Sequence, residues 1–208
     1  MTVSMSMLER LRDVVRGRLS EARFAHTLGV ERAVVRLGRV LLPDAVEELR
    51  VAALLHDITK EYSEQEHMAL LRKHSIELSE QDRRMPALLH SCTAPLVIER
   101  DFPEVATPAV LSAVACHTAG KADMSVFDKI LYISDYIEDG RTYSACVQVR
   151  TLLFEALEQA DVSPQEALNA AVLRALDNTI ISLVNRSSIV SEQAILARNA
   201  LLVENFRG

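Results

Sequence analysis

The chain has 208 residues, 49% hydrophobic and 25% charged, with a net charge of −6. That balance excludes a disordered chain and lacks the basic surface of a sequence-independent nucleic-acid binder, so no nucleic-acid partner is expected. Glycine and proline number only six each, tryptophan is absent, and Ala, Leu, Glu and Arg abound, which together favour helix.

The amino-terminal stretch MTVSMSMLERLRD has no basic segment followed by an apolar one, so it does not read as a secretory signal. Ser20 precedes EARFAHTLGVERAVVRLGRVLL, whose apolar residues recur at helical spacing until Pro43. Asp44 with Glu47, and Ser63 with Glu66, have the spacing of capping boxes. Thr107-Pro108 and Ser163-Pro164 each set a capping residue before a proline suited to the first helical turn. Ser191 opens a last helix through EQAILARNALLVENF, and the segments 120–125 and 139–144 read as inter-helix loops. No stretch alternates apolar and polar residues between tight-turn signals, and no repeat or long linker interrupts the chain. The expected architecture is all-α, a single domain over residues 1–208 with about nine or ten helices. No apolar run approaches the ~18 residues that span a bilayer, so no membrane partner is expected and the protein reads as cytoplasmic. Cys92, Cys116 and Cys146 are odd in number and show no CxxC spacing, which fits reduced thiols acting as small buried hydrophobes. An apolar helix face could make a homodimer; a monomer fits equally well.

Several polar residues break the amphipathic pattern. His26 lies among Phe24, Ala25, Leu28 and Val30. His56-Asp57 ends the run Ala52–Leu55. His90 follows Ala87-Leu88-Leu89, His117 ends VLSAVAC, and Asp135 sits within KILYISDYIE. His67 and His74, amid the charges of SEQEHMALLRKH, read as solvated. Buried carboxylates need a partner or a cation, and imidazole with carboxylate is the usual donor set for a divalent transition metal. His56 and Asp57 therefore read as a metal-binding pair, with His26 and Asp135 supplying further ligands; alternatively, each histidine is a satisfied core residue. Neighbours on a regular helix diverge by about 100°, so the pair could share an ion only near the helix edge.

The order His26, His56-Asp57, Asp135, with the segments RFAHTLGV, AALLHDITK, HTAGK, DKILYISDYIEDGR and ALDNTI, resembles the HD superfamily of metal-dependent phosphohydrolases. It is most similar to the YqeK branch, the symmetrical diadenosine tetraphosphate hydrolases. The resemblance runs from about Leu8 to the last helix. It implies metal ligation by His26, His56, Asp57 and Asp135, typically of iron, with manganese or zinc as alternatives. One ion is expected and a second is open, because His90 and His117 could either hold it through Asp57 or bind phosphate and protonate the leaving group. The nucleotide contacts it implies are Arg23, Asp57, Ile58, Thr59, Lys60, His90, His117, Thr118 and Arg141, and the stretch Asn178, Thr179, Ile180, Ile181, Ser182, Leu183. The catalytic set is Asp57, Lys60, His90 and His117, acting on a dinucleoside polyphosphate to give ADP.

Two departures stand out: LLHSCTAP lacks the aromatic before and the glycine after the third histidine, and Asp139 replaces a usual proline. The acidic pair of guanosine tetraphosphate hydrolases is Lys60-Glu61 here, and the Gly-Tyr-Pro signature of the cyclic-dinucleotide branch is absent. GxSxG and GxGxxG are absent too, and TAGK lacks the opening glycine of a P-loop. The rival readings are another HD nucleotide phosphohydrolase or nucleotidase, and a non-catalytic helical interaction module.

Overall fold

A computed structural model describes residues 3–205. Among them the order is α1 (Met5–Arg18), α2 (Glu21–Leu41), α3 (Val46–Leu55), α4 (Glu64–Lys73), α5 (Glu80–Arg83), α6 (Leu89–Asp101), α7 (Pro108–Cys116), α8 (Val126–Ile137), α9 (Ser144–Glu158), α10 (Pro164–Asn185) and α11 (Glu192–Asn205). Short 3-10 turns at Pro43–Ala45 and Pro86–Leu88 lead into α3 and α6, and no strand occurs among the described residues. The eleven helices slightly exceed expectation, one being the four-residue α5.

The capping chemistry was read correctly where a hydroxyl stands free to turn inward. Ser63 and Ser163 form complete capping boxes with Glu66 and Glu166, and Thr107 accepts from the Val110 N–H. Asp44 does not cap α3: Pro43 opens a 3-10 turn in which Asp44 is itself a member, and α3 begins two residues later. Ser20 makes no side-chain cap either; its N–H is taken by the Glu61 carboxylate at 3.1 Å.

The core forms around α2, α3 and α8. Val30, Val34 and Leu37 of α2, spaced to share one face, meet Leu49, Ala52 and Ala53 of α3 at 0% exposure. α8 is buried almost all round through Ile130, Leu131, Tyr132 and Ile133. Each buried Val, Leu or Ile side chain among these contributes about 1.5–3 kcal/mol of transfer free energy. That packing fixes the α2–α8 distance, and the site depends on it. Glu31 of α2, unforeseen as a core residue, is 6% exposed and held by Arg12 at 2.5 Å and Arg50 at 3.0 Å. α10 is, contrary to expectation, long and apolar enough by length and composition to cross a membrane. Here it buries Leu168, Val172 and Leu176 within the bundle. Cys116 and Cys146 are buried as expected, whereas Cys92 is exposed, because its position on α6 lies opposite the face that buries His90, Thr93, Ala94 and Val97.

Candidate metal centre and phosphate cleft

α3 ends at Leu55, and the chain then tightens: Leu55 C=O accepts from Ile58 N–H at 3.2 Å and Asp57 C=O from Lys60 N–H at 2.8 Å. The dyad thus stands in a turn just past the helix, where both side chains can face one point. His56 Nε2 lies 3.6 Å from Asp57 Oδ2. His56 Nδ1 donates to Ala53 C=O at 2.7 Å and His117 Nδ1 to Val114 C=O at 2.6 Å, while His26 Nδ1 faces the Glu138 carboxylate at 3.1 Å. With the proton on Nδ1 in each ring, three Nε2 lone pairs are left as acceptors.

Those lone pairs converge. His26 Nε2 is 2.9 Å from Asp135 Oδ1, and His56 Nε2 is 4.0 Å from the same oxygen. Two overlapping ligand sets result, His26–His56–Asp135 and His56–Asp57–His117, with the donor atoms of each within 4.8 Å of one another. His26 Nε2, His56 Nε2 and Asp57 Oδ1 are buried yet hydrogen-bonded to nothing. The short His26–Asp135 separation is therefore not a hydrogen bond. Leaving such acceptors unpaired in the interior costs free energy, and a divalent cation with mixed nitrogen and oxygen donors would satisfy them. The residues fit such an ion.

The electrostatics agree with that fit. Burial pushes the His56 pKa down to about 4, so the ring is neutral and able to ligate. Burial also pushes His90 down to about 2, reinforced by His117 and Lys60. For Asp57, burial acts to raise the pKa, but His56, His117 and Lys60 outweigh it and hold the carboxyl well below its usual range. Asp135 is likewise held low against burial by His26, His56 and Arg141. Burial acts to lower His26, but Asp135 and Glu138 overcome it and leave that ring above its ordinary value.

Beside this candidate ligand cluster stands a cationic and imidazole-lined wall. His90 Nε2 is 3.2 Å from Asp57 Oδ1 and 3.0 Å from His117 Nε2, and the Thr118 hydroxyl lies 3.2 and 3.0 Å from those two nitrogens. Lys60 Nζ reaches His90 Nε2 at 2.9 Å and Asp57 Oδ1 at 3.4 Å. Arg23 approaches Asp57 Oδ2 at 3.7 Å, and Arg141 holds Asp135 Oδ1 at 2.9 Å. Gly120, at φ +76°, turns the chain immediately after Thr118. A cleft of about 640 Å³ opens over His26, Asp57, Lys60, Asp135 and Arg141.

Part of the expected nucleotide-contact set lies elsewhere. Ile58 and Thr59 are 1% and 0% exposed, and the Thr59 hydroxyl donates to His90 C=O at 3.1 Å, so they support the site from behind and offer no surface to a ligand. On α10, Thr179 and Leu183 share one face and line a cavity of about 400 Å³ with Thr118. Ile180 packs on the core, and Asn178, Ile181 and Ser182 are not among that cavity's walls. A helix cannot turn six consecutive side chains to one pocket.

Two residues escaped the sequence reading. Glu138 is 4% exposed and its carboxylate accepts from Gly140 N–H at 2.6 Å as well as from His26. Its spacing of three from Asp135 was the available signal. His67, expected in solvent, is 4% exposed with Nδ1 2.8 Å from Thr93 Oγ1, completing a Thr59–Thr93–His67 network behind His90. Its spacing of four from the buried Leu71 outranked the flanking charges. His74 is exposed as expected.

Residues 23–140 match the HD domain family, and the chain belongs to that family. It is 31% identical over 194 residues to the symmetrical bis(5'-nucleosyl)-tetraphosphatase of Halalkalibacterium halodurans, covering 92% of this chain and 95% of the relative. The Bacillus subtilis protein of the same name is 26% identical over 188 residues, covering 90% and 94%. A Clostridium acetobutylicum crystal structure, described as a predicted HD superfamily hydrolase involved in NAD metabolism, superposes with a TM-score of 0.83 at 30% identity over 94% of this chain and 97% of that one. The resemblance drawn from the sequence motifs, to the branch of symmetrical tetraphosphatases, is thereby borne out.

Proposed function

We propose that this HD hydrolase splits dinucleoside tetraphosphates at the centre of the bridge, giving two nucleoside diphosphates, ADP twice from diadenosine tetraphosphate. The observation that carries the reading is the set of bare, buried acceptors on His26, His56 and Asp57 beside Lys60 and Arg23, in a chain that aligns almost end to end with relatives of that name. His26, His56, Asp57 and Asp135 would hold the divalent cation, iron in our reading, with manganese and zinc as alternatives. When bound, such an ion supplies Lewis acidity and a water of lowered pKa.

The chain's own groups account for the rest. His56 is common to the two ligand sets, and Asp57 would join it to His117 in the second. Lys60 and Arg23 neutralise the negative charge that spreads over the phosphoryl oxygens as water adds to an inner phosphorus, the P–O anhydride bond breaks and the diphosphate departs. His90 and His117 would offer Nε2 acceptors to a second cation or, as N–H donors beside the Thr118 hydroxyl, would bind the phosphate chain. Thr179 and Leu183 border a nucleoside of the substrate. A description of the Clostridium structure as a hydrolase of NAD metabolism keeps a second reading open, another nucleotide as substrate.

Metal analysis of the purified protein with product identification tests the proposal. Diadenosine tetraphosphate should yield ADP alone, and AMP and deoxynucleoside triphosphates should persist. ATP with AMP as products, or phosphate released from AMP with the dinucleotide intact, would overturn it.

A further inference from the structure

The segment Pro86–Ala87 is a ridge between two cavities. On one side lies the cavity of Thr118, Thr179 and Leu183; on the other, one of about 320 Å³ lined by Lys60, Tyr62, His67, Leu89 and His90 along with the ridge itself. The second shares Arg23 and Lys60 with the metal cleft, so it opens directly onto it. His90 faces this cavity while the Thr118 hydroxyl, 3.2 Å from His90 Nε2, faces the other. The metal site thus meets one chamber through Arg23 and Lys60 and the other through Thr118, whose hydroxyl is 3.0 Å from His117 Nε2.

Cleavage at the middle of a tetraphosphate places two equal arms on the two sides of the bond that breaks. Each arm ends in a nucleoside, so two nucleoside sites are needed, and one chamber explains only one. Building on the proposed function, we infer that the Tyr62 chamber receives the second nucleoside, with Tyr62 as its stacking surface and Arg23 and Lys60 gripping the phosphates of that arm. The Tyr62 and His67 rings lie 5.7 Å apart, and Pro86, Ala87 and Leu89 add an apolar wall, with Glu64 the one acid among the described residues lining the chamber. A volume near 300 Å³ is at the lower end of small-ligand sites and fits one nucleoside rather than a whole dinucleotide. Base–aromatic stacking strengthens binding without reading the base, as a stacking residue on this arm requires.

Calorimetry with ADP and steady-state kinetics with diadenosine tetraphosphate test this on the metal-loaded protein. Wild type should bind two ADP per chain. Tyr62→Leu, which keeps apolar volume but removes the ring, should bind one and raise KM for the dinucleotide about tenfold with kcat within twofold, and Tyr62→Phe should restore both. A wild type that turns over the dinucleotide but binds a single ADP overturns the second chamber and leaves the activity standing. Equal KM in Tyr62→Leu and wild type, or a loss of kcat that Tyr62→Phe does not restore, overturns the stacking role. A wild type that leaves the dinucleotide intact fails the activity itself, and the chamber with it.

Discussion

Glu138→Gln is a demanding test, because the change is one atom deep and lies outside the ligand set. The native carboxylate accepts twice, from His26 Nδ1–H at 3.1 Å and Gly140 N–H at 2.6 Å, at 4% exposure. A carboxamide keeps an acceptor at only one of these two oxygen positions. Whichever way it turns, an NH2 faces an N–H, either that of His26 or that of Gly140. A buried donor left unpaired costs ~1–3 kcal/mol, equivalent to a melting temperature lower by roughly 2–12 °C in a chain of this size. Loss of the group that orients a ligating histidine typically weakens metal affinity by about 10- to 100-fold, or ~1.4–2.8 kcal/mol. The assay is competition between the protein and a chelator of known affinity, read by metal analysis after gel filtration, with kcat/KM at saturating metal alongside. The expected variant releases its ion at ten to a hundred times lower chelator concentration and recovers much of its activity when metal is in excess. Wild-type metal retention in Glu138→Gln would refute the assignment of Glu138 as the group that holds the His26 ring.

Three further outcomes follow from the same geometry. Gly29→Ala drives a Cβ into Glu138 Oε2, so the carboxylate must shift; the variant should show a weaker form of the Glu138→Gln phenotype, and Gly17→Ala, which meets nothing within 4 Å, should not. Asp57→Ala should abolish bound metal and turnover together, and Lys60→Ala should lower kcat by about 10²-fold while metal content stays unchanged, both read by metal analysis with product assay. The metal-free protein should lose stability on acidification. The His56 pKa is about 4 when folded against an ordinary 6.5, so its contribution is complete above 6.5 and is lost as pH falls towards 4, a change of ~3 kcal/mol at 1.36 kcal/mol per pKa unit. Asp57 and Asp135, also depressed, push the same way lower down, whereas His26, raised, adds an opposing term that fades as pH rises above its folded pKa. Denaturant midpoints of the chelated protein between pH 7 and 4 check this, and a flat profile would contradict a neutral His56.

The helices and the convergence of His26, His56, Asp57 and Asp135 were legible because both leave periodic traces: apolar residues at helical spacing, and histidines or acids that intrude on them. The turn after Leu55 was not legible. A strictly helical dyad would splay, and only tertiary packing shows that α3 stops in time for the pair to aim together. Glu138 escaped notice because an acid in YIEDGR looks solvated until Gly29 is seen to let it lie across α2. His67 was hidden by its charged neighbours, and the face of α10 that meets the cavity could not be told from its other faces without Thr118 opposite it. Asp44 shows the reverse error, a correct spacing overridden by the 3-10 turn that Pro43 begins.

The residues proposed to hold the metal come from α2, from the turn behind α3 and from α8, segments with long stretches of chain between them. An ion grasped by all three acts as a rivet through the bundle, so occupancy and endurance are one equilibrium: at a hundredfold excess over its dissociation constant, it adds ~2.7 kcal/mol to folding. A cell starved of the ion would be left with a shorter-lived protein as well as an idle one.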